Sequence, residues 1–497
     1  MMSTQRHIKL SPIDVPPRFN AVTKVAISDD TITARKAKIT ANMVQANIDY
    51  LLVYADKEHG GNFEYLTGFI PRFEEAALVL HACGDVFLLL GNENLKLSQY
   101  ARVSNTAIHV PYFSLPNQPM ESSKTLAELL ADTGVEQAKK IGIVGWKLFT
   151  SKLDDNNQLF DIPHFILSAI QQVVSSATLV INATSLFIGS DTAARVTNNA
   201  NEIAHYEYGA NLASNCILNA LTAVDIGVTE QQLGSYLADE GQPNTVVMIA
   251  ATGNRFEKAN LYPSDKVVQL GDKISLTTGY KGGLSSRAGY AVHHGDELPL
   301  AERDYLDRVA IPYYATVVAW LENIRIGMLG KEMYALVETT LPKAQYHWSL
   351  NPGHLVADEE WLCSPIYKGS EEKIRSGMLF QIDIIPAVKG YAGVSAEDCI
   401  ALADQHLRDE LAAHYPDVWQ RIQKRRDYLS NILNIHLSEE VLPMSNTVGY
   451  LRPNAQDLTT NGIATSVKQL QLLHTSLCRT YQYGYFPARL RPRRNKE

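Results

Sequence analysis

The chain has 497 residues, 45% of them hydrophobic, with a formal net charge of -8 and a pI near 6.0. That length exceeds one ordinary core and predicts two domains, while the acidic balance excludes a general nucleic-acid binder, which needs a basic face to neutralise phosphates. Five cysteines (Cys83, Cys216, Cys363, Cys399 and Cys478) follow neither metal nor disulfide spacing, and no signal peptide or membrane-length apolar run is found, so the expectation is a cytoplasmic protein with no membrane partner.

In chain order, residues 1 to about 33 are polar and proline-containing and read as an arm over the surface. Ala34, Ala37, Ile39, Met43 and Ala46 then recur at helical spacing, which predicts an amphipathic helix over 33–47. The apolar run 48–54 predicts a buried strand, and 76–80 with 86–90 a strand pair joined through Gly84-Asp85. Residues 63–69, 91–93 and 142–146 read, by themselves, as strand ends and turns. Long apolar runs are scarce between 182 and 197. From there Ile203, Tyr206, Ala210, Ala213, Ile217 and Leu221 mark a long helix, with Asn199 or Asn201 as its N-cap and Gly227 just past its end. A domain boundary near 190 follows, dividing the chain into 1–190, 191–450 and a basic tail at 451–497. In the tail Arg489, Arg491, Arg493, Arg494 and Lys496 follow the aromatic stretch 481–485; it is read either as a contact for RNA or acidic lipid or as a solvated terminus.

One stretch, 351–398, holds residues suited to a buried reactive site. It opens with Asn351-Pro352-Gly353-His354, passes through the apolar run 378–386 that contains Asp383, and ends at Ala396-Glu397-Asp398. A carboxylate inside an apolar strand must be paired, hydrated or bound to an ion. Lys389-Gly390-Tyr391 reads as a hairpin turn that returns Glu397 beside Asp383. The competing reading has Asp383 capping a strand end and Glu397 solvated in a turn.

Together, Gly353-His354, Ser376-Gly377-Met378 leading to Asp383, and Ala396-Glu397-Asp398 resemble the creatinase, prolidase and aminopeptidase P family, the M24 peptidase-like proteins. Pro263-Ser264-Asp265-Lys266, Gly271-Asp272 and Gly279-Tyr280 resemble the entry to that family's first metal-bearing hairpin. Residues 63–69, 91–93 and 142–146 resemble its N-terminal domain. The resemblance covers roughly residues 40 to 450. It implies an α+β protein in which a creatinase-like N-terminal α/β domain precedes a pita-bread domain made of two related halves, and it implies a homodimer.

In that family two Asp, one His and two Glu hold two divalent ions that share a bridging water. Four carboxylates then balance the two ions, which activate the water together. Here the resemblance puts Thr277 at the first Asp position, and no acid stands in the segment 284–289 where the second belongs. His354 matches the metal His, Glu397 the last Glu, and Asp383 the other Glu with about 1.5 Å less reach. The family's two substrate histidines are missing as well: none lies between Gly253 and Gly271, and Trp361 stands seven residues after His354. His293 and His294 are candidate replacements, but neighbours on a strand point to opposite faces, so at most one can enter the pocket.

The resemblance thus implies catalytic roles for His354, Asp383 and Glu397, which also form the ligand set for at most one divalent ion (Mn, Co, Zn or Fe) or none. Arg287 and Trp361 are the candidate substrate-binding residues, and Arg287 is expected to enter the pocket and pair with Asp383 or Glu397 in place of a metal. Three functions stay open: a hydrolase cleaving a C–N bond in a peptide or small amide-like substrate, an inactive homologue that binds a peptide or protein partner, and a structural partner in an oligomer.

Overall fold

The computed structural model describes residues 7–118, 122–190, 192–452 and, for the backbone alone, 461–466. Nearly all of the basic tail, with its aromatic stretch and Cys478, lies outside the described residues. In the backbone, His7–Pro12 pairs antiparallel with Asn461–Ser466, so part of the expected N-terminal arm is a strand.

The first part of the chain is built on a six-stranded sheet, in the order Thr106–His109, Val86–Leu90, Ala76–His81, Tyr50–Ala55, Lys140–Val144 and Leu179–Asn182. Ala76–His81 runs antiparallel to both neighbours, and the other pairings are parallel. Side chains alternate between two cores, as the two-residue period of a strand requires. Leu51, Val53, Leu78 and Leu80 share one core with Ile32, Ile39 and Met43 of the helix Asp29–Gln45. Leu52, Val79 and Leu89 share the other with Leu129, Leu130, Ile166 and Ile170 of Leu126–Ala131 and His164–Val173. Coverage on both faces is why these strands read as unbroken apolar runs.

Two elements differ from the sequence expectation. Asp29–Gln45 starts four residues earlier than 33–47 predicts, because the Ser28 side chain accepts from Thr31 N and Asp29 and Asp30 occupy the positive first turn. Residues 63–69, expected as strand ends and turns, fall largely within the helix Gly61–Thr67. Phe63 and Leu66 bury one side of it, and Gly68 closes it at φ 80°.

The second part opens with the helix Ala200–Ala223. Asn199 caps it, its side chain accepting from Glu202 N while the Glu202 carboxylate accepts from Asn199 N at 2.8 Å. The helix is buried almost throughout, packed on the hairpin Lys273–Tyr280 and Gly283–Tyr290 and on the helix Gln405–His414. Two antiparallel four-stranded sheets carry the domain. One runs Ser395–Glu397, Gly283–Tyr290, Lys273–Tyr280, Ile249–Thr252, and the other His354–Leu355, Leu379–Gln381, Cys399–Leu402, Val441–Pro443. They join where the chain crosses from Glu397 to Cys399. The Gln381 side chain stitches the join by donating from Nε2 to Leu284 O at 2.7 Å. The halves also repeat locally: Ala200–Ala223 and Ile311–Asn323 each lead through an Ile-Gly turn, with Gly227 at φ 92° and Gly327 at φ 86°, into a second helix. The whole is a mixed α+β architecture, and among the described residues no helix is long and apolar enough to cross a membrane.

Behind the long helix, the buried Glu207 carboxylate takes Arg421 and Arg425 from the helix Pro416–Asn431, with Arg425 Nη2 at 2.6 Å. Arg425 also donates to Asn446 Oδ1 at 2.7 Å. Glu207→Gln leaves this buried guanidinium without its counter-charge, so the unfolding transition in urea should report a loss of about 3 kcal/mol. A loss below about 1 kcal/mol would mean that the neighbouring amides alone hold Arg425.

Candidate active site

The site forms where the two sheets join. In the hairpin, Thr277 stands opposite Ser286, and Ser286 stands opposite Glu397 in the next strand. Residues directly opposite share a face, so Thr277, Ser286 and Glu397 form one row on the pocket side. The hydroxyls of Thr277 and Ser286 are hydrogen-bonded at 2.7 Å. Two neutral groups that satisfy each other therefore stand at the first Asp position of the resemblance and within the segment 284–289 where it calls for the second.

The opposite face takes the next residue of each strand. Asp398 is fully buried there, accepting from Arg287 Nη2 at 2.6 Å, Ser285 Oγ at 2.8 Å and Thr447 Oγ1 at 2.6 Å. Arg287 also donates to the carbonyls of Tyr450 and Thr447. The expectation that Arg287 enters the pocket and pairs with Asp383 or Glu397 is thus corrected: strand alternation turns it behind the sheet, onto Asp398. It is not placed to bind substrate from the pocket.

The second sheet supplies His354, opposite Gln381, two residues before Asp383. The imidazole is fully buried, and its Nε2 lies 3.9 Å from Asp383 Oδ2. A tight loop, closed by Leu355 N on Cys363 O at 2.6 Å and Leu362 N on Leu355 O at 2.9 Å, folds residues 356–361 back over it. The loop stacks Trp361 on His354 with ring centroids 4.1 Å apart, so the residue at the missing histidine position covers the imidazole with a ring. The loop also brings Glu360 Oε1 to 3.1 Å from His354 Nε2. Ligand atoms of His354, Glu360 and Glu397 all lie within 4.8 Å of one another. Sequence reasoning passed over Glu360. Its signal was the run Asp358-Glu359-Glu360 just before Trp361, which is ordinary for a solvated loop.

Three carboxylates now surround one imidazole in a poorly solvated space. Burial pushes Asp383 up to about 6, with Glu360 adding to the rise and His354 opposing it. Burial, then Asp383 and Glu360, raises Glu397 well above the carboxylate range. Burial works against a charged His354, yet Glu360 and Asp383 outweigh it and the imidazole is raised. His354 Nε2 and Asp383 Oδ1 are buried without a hydrogen-bond partner, the Glu360 carboxylate making an ionic approach to Nε2. Orphaned polar atoms in an acid-rich pocket fit a bound cation. One divalent ion fits the donor set His354, Glu360 and Glu397, with Asp383 beside it. A second does not, because its carboxylates are replaced by the Thr277–Ser286 hydroxyl pair.

Two cations, Arg195 and Lys281, tie the loop to the first domain. Arg195 Nη1 donates to Glu359 Oε1 and Asn62 Oδ1, each at 2.8 Å. Lys281, at the hairpin turn, pairs with Glu64 and lies 3.7 Å from Asp358. Although burial opposes it, Lys281 and Arg195 hold Asp358 down at about 2. Next to this anchor a cleft of about 1080 Å³ opens between the domains, lined by Phe73, Glu74, Val246, Tyr262, Lys281 and Glu359 among others. His354, Asp383 and Glu397 do not line it. His293, weighed as a replacement ligand, lies beside Glu297 at 3.2 Å and Asp225 at 3.8 Å instead.

Residues 35–173 match the model of the Creatinase/Prolidase N-terminal domain. A search of curated protein sequences finds no match. Among solved structures, the Xaa-Pro dipeptidase of Bacillus anthracis aligns with 76% of this chain and 96% of its own, at 16% identity and a TM-score of 0.55. A prolidase of Thermococcus sibiricus aligns with 75% of this chain and 95% of its own, at 17% identity and a TM-score of 0.58. An X-Pro aminopeptidase of Thermotoga maritima gives 74%, 95%, 14% and 0.56 for the same measures. At these identities the likeness is one of fold.

The buried Arg287–Asp398 pair makes a measurable prediction. Arg287→Met should destabilise the protein by about 3–5 kcal/mol by stranding Asp398. Adding Asp398→Asn should recover more than about 1 kcal/mol of that loss, whereas adding Asp383→Asn should not. Recovery with Asp383→Asn instead would put Arg287 back in the pocket.

Proposed function

Starting from a chain that joins a creatinase/prolidase N-terminal domain to the pita-bread fold of the M24 peptidase-like proteins, we propose a mononuclear hydrolase that cleaves a C–N bond in a peptide or small amide-like substrate. The observation that carries this reading is the buried cluster of Glu360, Asp383 and Glu397 around a His354 Nε2 that has no hydrogen-bond partner. Such a cluster needs a positive charge to balance it. His354, Glu360 and Glu397 would hold one divalent ion, a set that differs from the sequence expectation by taking Glu360 in and leaving Asp383 free. A bound divalent ion supplies polarisation of the scissile carbonyl and a more acidic water.

The chain's own residues do the rest. Asp383 takes a proton from the attacking water at Oδ1, which has no partner, and returns it to the leaving nitrogen. Burial raises Asp383 and Glu360 adds to the rise, while a neighbouring cation would oppose both and keep the carboxylate ionised, ready to accept that proton. The Leu355 carbonyl, 3.1 Å from His354 Nδ1, fixes that nitrogen as the donor and leaves Nε2 with the lone pair. Trp361 covers the ring from the other side and keeps water from it. The hydrolysis at Xaa-Pro bonds named for the structural neighbours is the first substrate class to try. The cytoplasmic compartment and the homodimer expected from the sequence go with this reading.

Two observations favour a second reading. The Thr277–Ser286 hydroxyl pair and the stacked Trp361 remove a second ion and a second substrate histidine, which suits a homologue that keeps the fold to bind a peptide or protein partner. Metal analysis and assays on Xaa-Pro and Xaa-Ala dipeptides with added Mn(II) or Co(II) separate the two. The hydrolase should lose one metal equivalent on His354→Ala. It should keep that equivalent on Asp383→Asn while turnover falls about 100-fold or more. No metal difference and no hydrolysis would overturn the hydrolase and favour the binding reading, and two equivalents lost would overturn the single-ion site.

A further inference from the structure

A second cluster of metal-type donors sits in the first domain, at the turn between Ala76–His81 and Val86–Leu90. The turn reads His81-Ala82-Cys83-Gly84-Asp85. It is closed by His81 N on Asp85 O and Gly84 N on His81 O, each at 2.9 Å, with Gly84 at φ 102°. A tight turn of this kind, which glycine permits at positive φ, folds the first, third and fifth residues together. Ligand atoms of His81, Cys83 and Asp85 accordingly lie within 4.8 Å of one another.

A backbone carbonyl sets the tautomer of the histidine. Its Nε2 lies 2.7 Å from the Thr133 carbonyl, and a carbonyl only accepts, so the proton is on Nε2 and Nδ1 carries the lone pair. Metal-binding histidines are commonly held this way, by a carbonyl on the nitrogen that does not bind. The ring is kept in place by Tyr50, edge-on at 4.3 Å, and Phe87 at 5.1 Å. Cys83 is exposed, and its thiol donates to Asp85 Oδ2 at 3.4 Å. Access is through a hollow of about 280 Å³ that Asp49, Gln137 and Lys139 also line.

We propose that His81, Cys83 and Asp85 form a surface binding site for a divalent ion of the zinc class. On binding, the Cys83 S–H bond breaks, its proton leaves to solvent, and Sγ, His81 Nδ1 and an Asp85 oxygen each donate an electron pair. The thiolate and the carboxylate balance the 2+ charge, and water completes a four-coordinate shell. One sulfur, one imidazole and one carboxylate select zinc or cobalt over magnesium or calcium, which prefer oxygen donors alone. No residue of this site belongs to the His354 pocket, so the two are separable by mutation.

The test is titration of the full chain with Co(II), whose bond to thiolate gives a charge-transfer band. His354→Ala protein should show this band at one equivalent, displaced by Zn(II) and unaffected by excess Mg(II). Cys83→Ser should abolish the band, while His81→Asn and Asp85→Asn should each weaken binding at least tenfold. Zn(II) should raise the melting temperature of His354→Ala protein and not of the His354→Ala/Cys83→Ser double variant, which gives a readout independent of colour. Absence of the band, its survival in Cys83→Ser, or unchanged affinity in both His81→Asn and Asp85→Asn would overturn the site, the last by reducing it to a lone exposed thiol.

Discussion

The pocket depends on the change of face between two adjacent carboxylates. Glu397 ends a strand of one sheet and looks into the pocket; Asp398, the next residue, looks the other way and is neutralised by Arg287 behind the sheet. The guanidinium does more than balance a charge. By donating to the carbonyls of Tyr450, Thr447 and Glu397, it ties the hairpin, the sheet junction and the segment after Val441–Pro443 into one unit. Its rigid fork of donors suits that task better than a lysine ammonium would. Since the sheets meet at this point, the direction in which Glu397 projects follows from the pairing beneath it.

Charge accounts for how the pocket itself is filled. A dinuclear site is stable only while enough carboxylates oppose the two ions. Replacing an aspartate by a hydroxyl residue removes charge at little change in volume. Thr277 and Ser286 satisfy each other across the hairpin and place no charge on that wall. On the other side the balance is reversed. Glu360 joins Asp383 and Glu397, and three acids around one imidazole create a demand for a cation where the loop folds over. One wall of the pocket thus carries paired hydroxyls and the other carries the acids.

That loop connects the pocket to the first domain. Asp358 and Glu359 are gripped by Arg195 and Lys281, which in turn hold Asn62 and Glu64 on the short helix of the first domain. Arg195 is almost fully buried, so its pairing with Glu359 is poorly screened and sensitive to displacement. A shift of the first domain would carry the loop with it and move Glu360 and Trp361 relative to His354. The first domain therefore serves both as a separate folding core and as the clamp on one wall of the pocket.

Much of this was readable along the chain because it depends on local rules. Apolar runs located the first-domain strands and a 3.6-residue period the long helix; Asn199 or Asn201 was its expected cap, a role Asn199 takes; and His354 and Asp383, singled out along the chain, lie 3.9 Å apart at the sheet junction. What failed was what depends on geometry between segments. Arg287 could not be assigned a partner without the strand register, since a shift of one residue decides between Glu397 and Asp398. Glu360 could not be assigned to His354 without the loop closed by Leu355 and Cys363, and the helix Gly61–Thr67 was hidden in a segment too short for periodicity to show. The sequence by itself determined which residues are available for chemistry. Only the tertiary structure decided which acids face the imidazole, because sheet pairing and loop closure fix direction, and direction is not written in spacing.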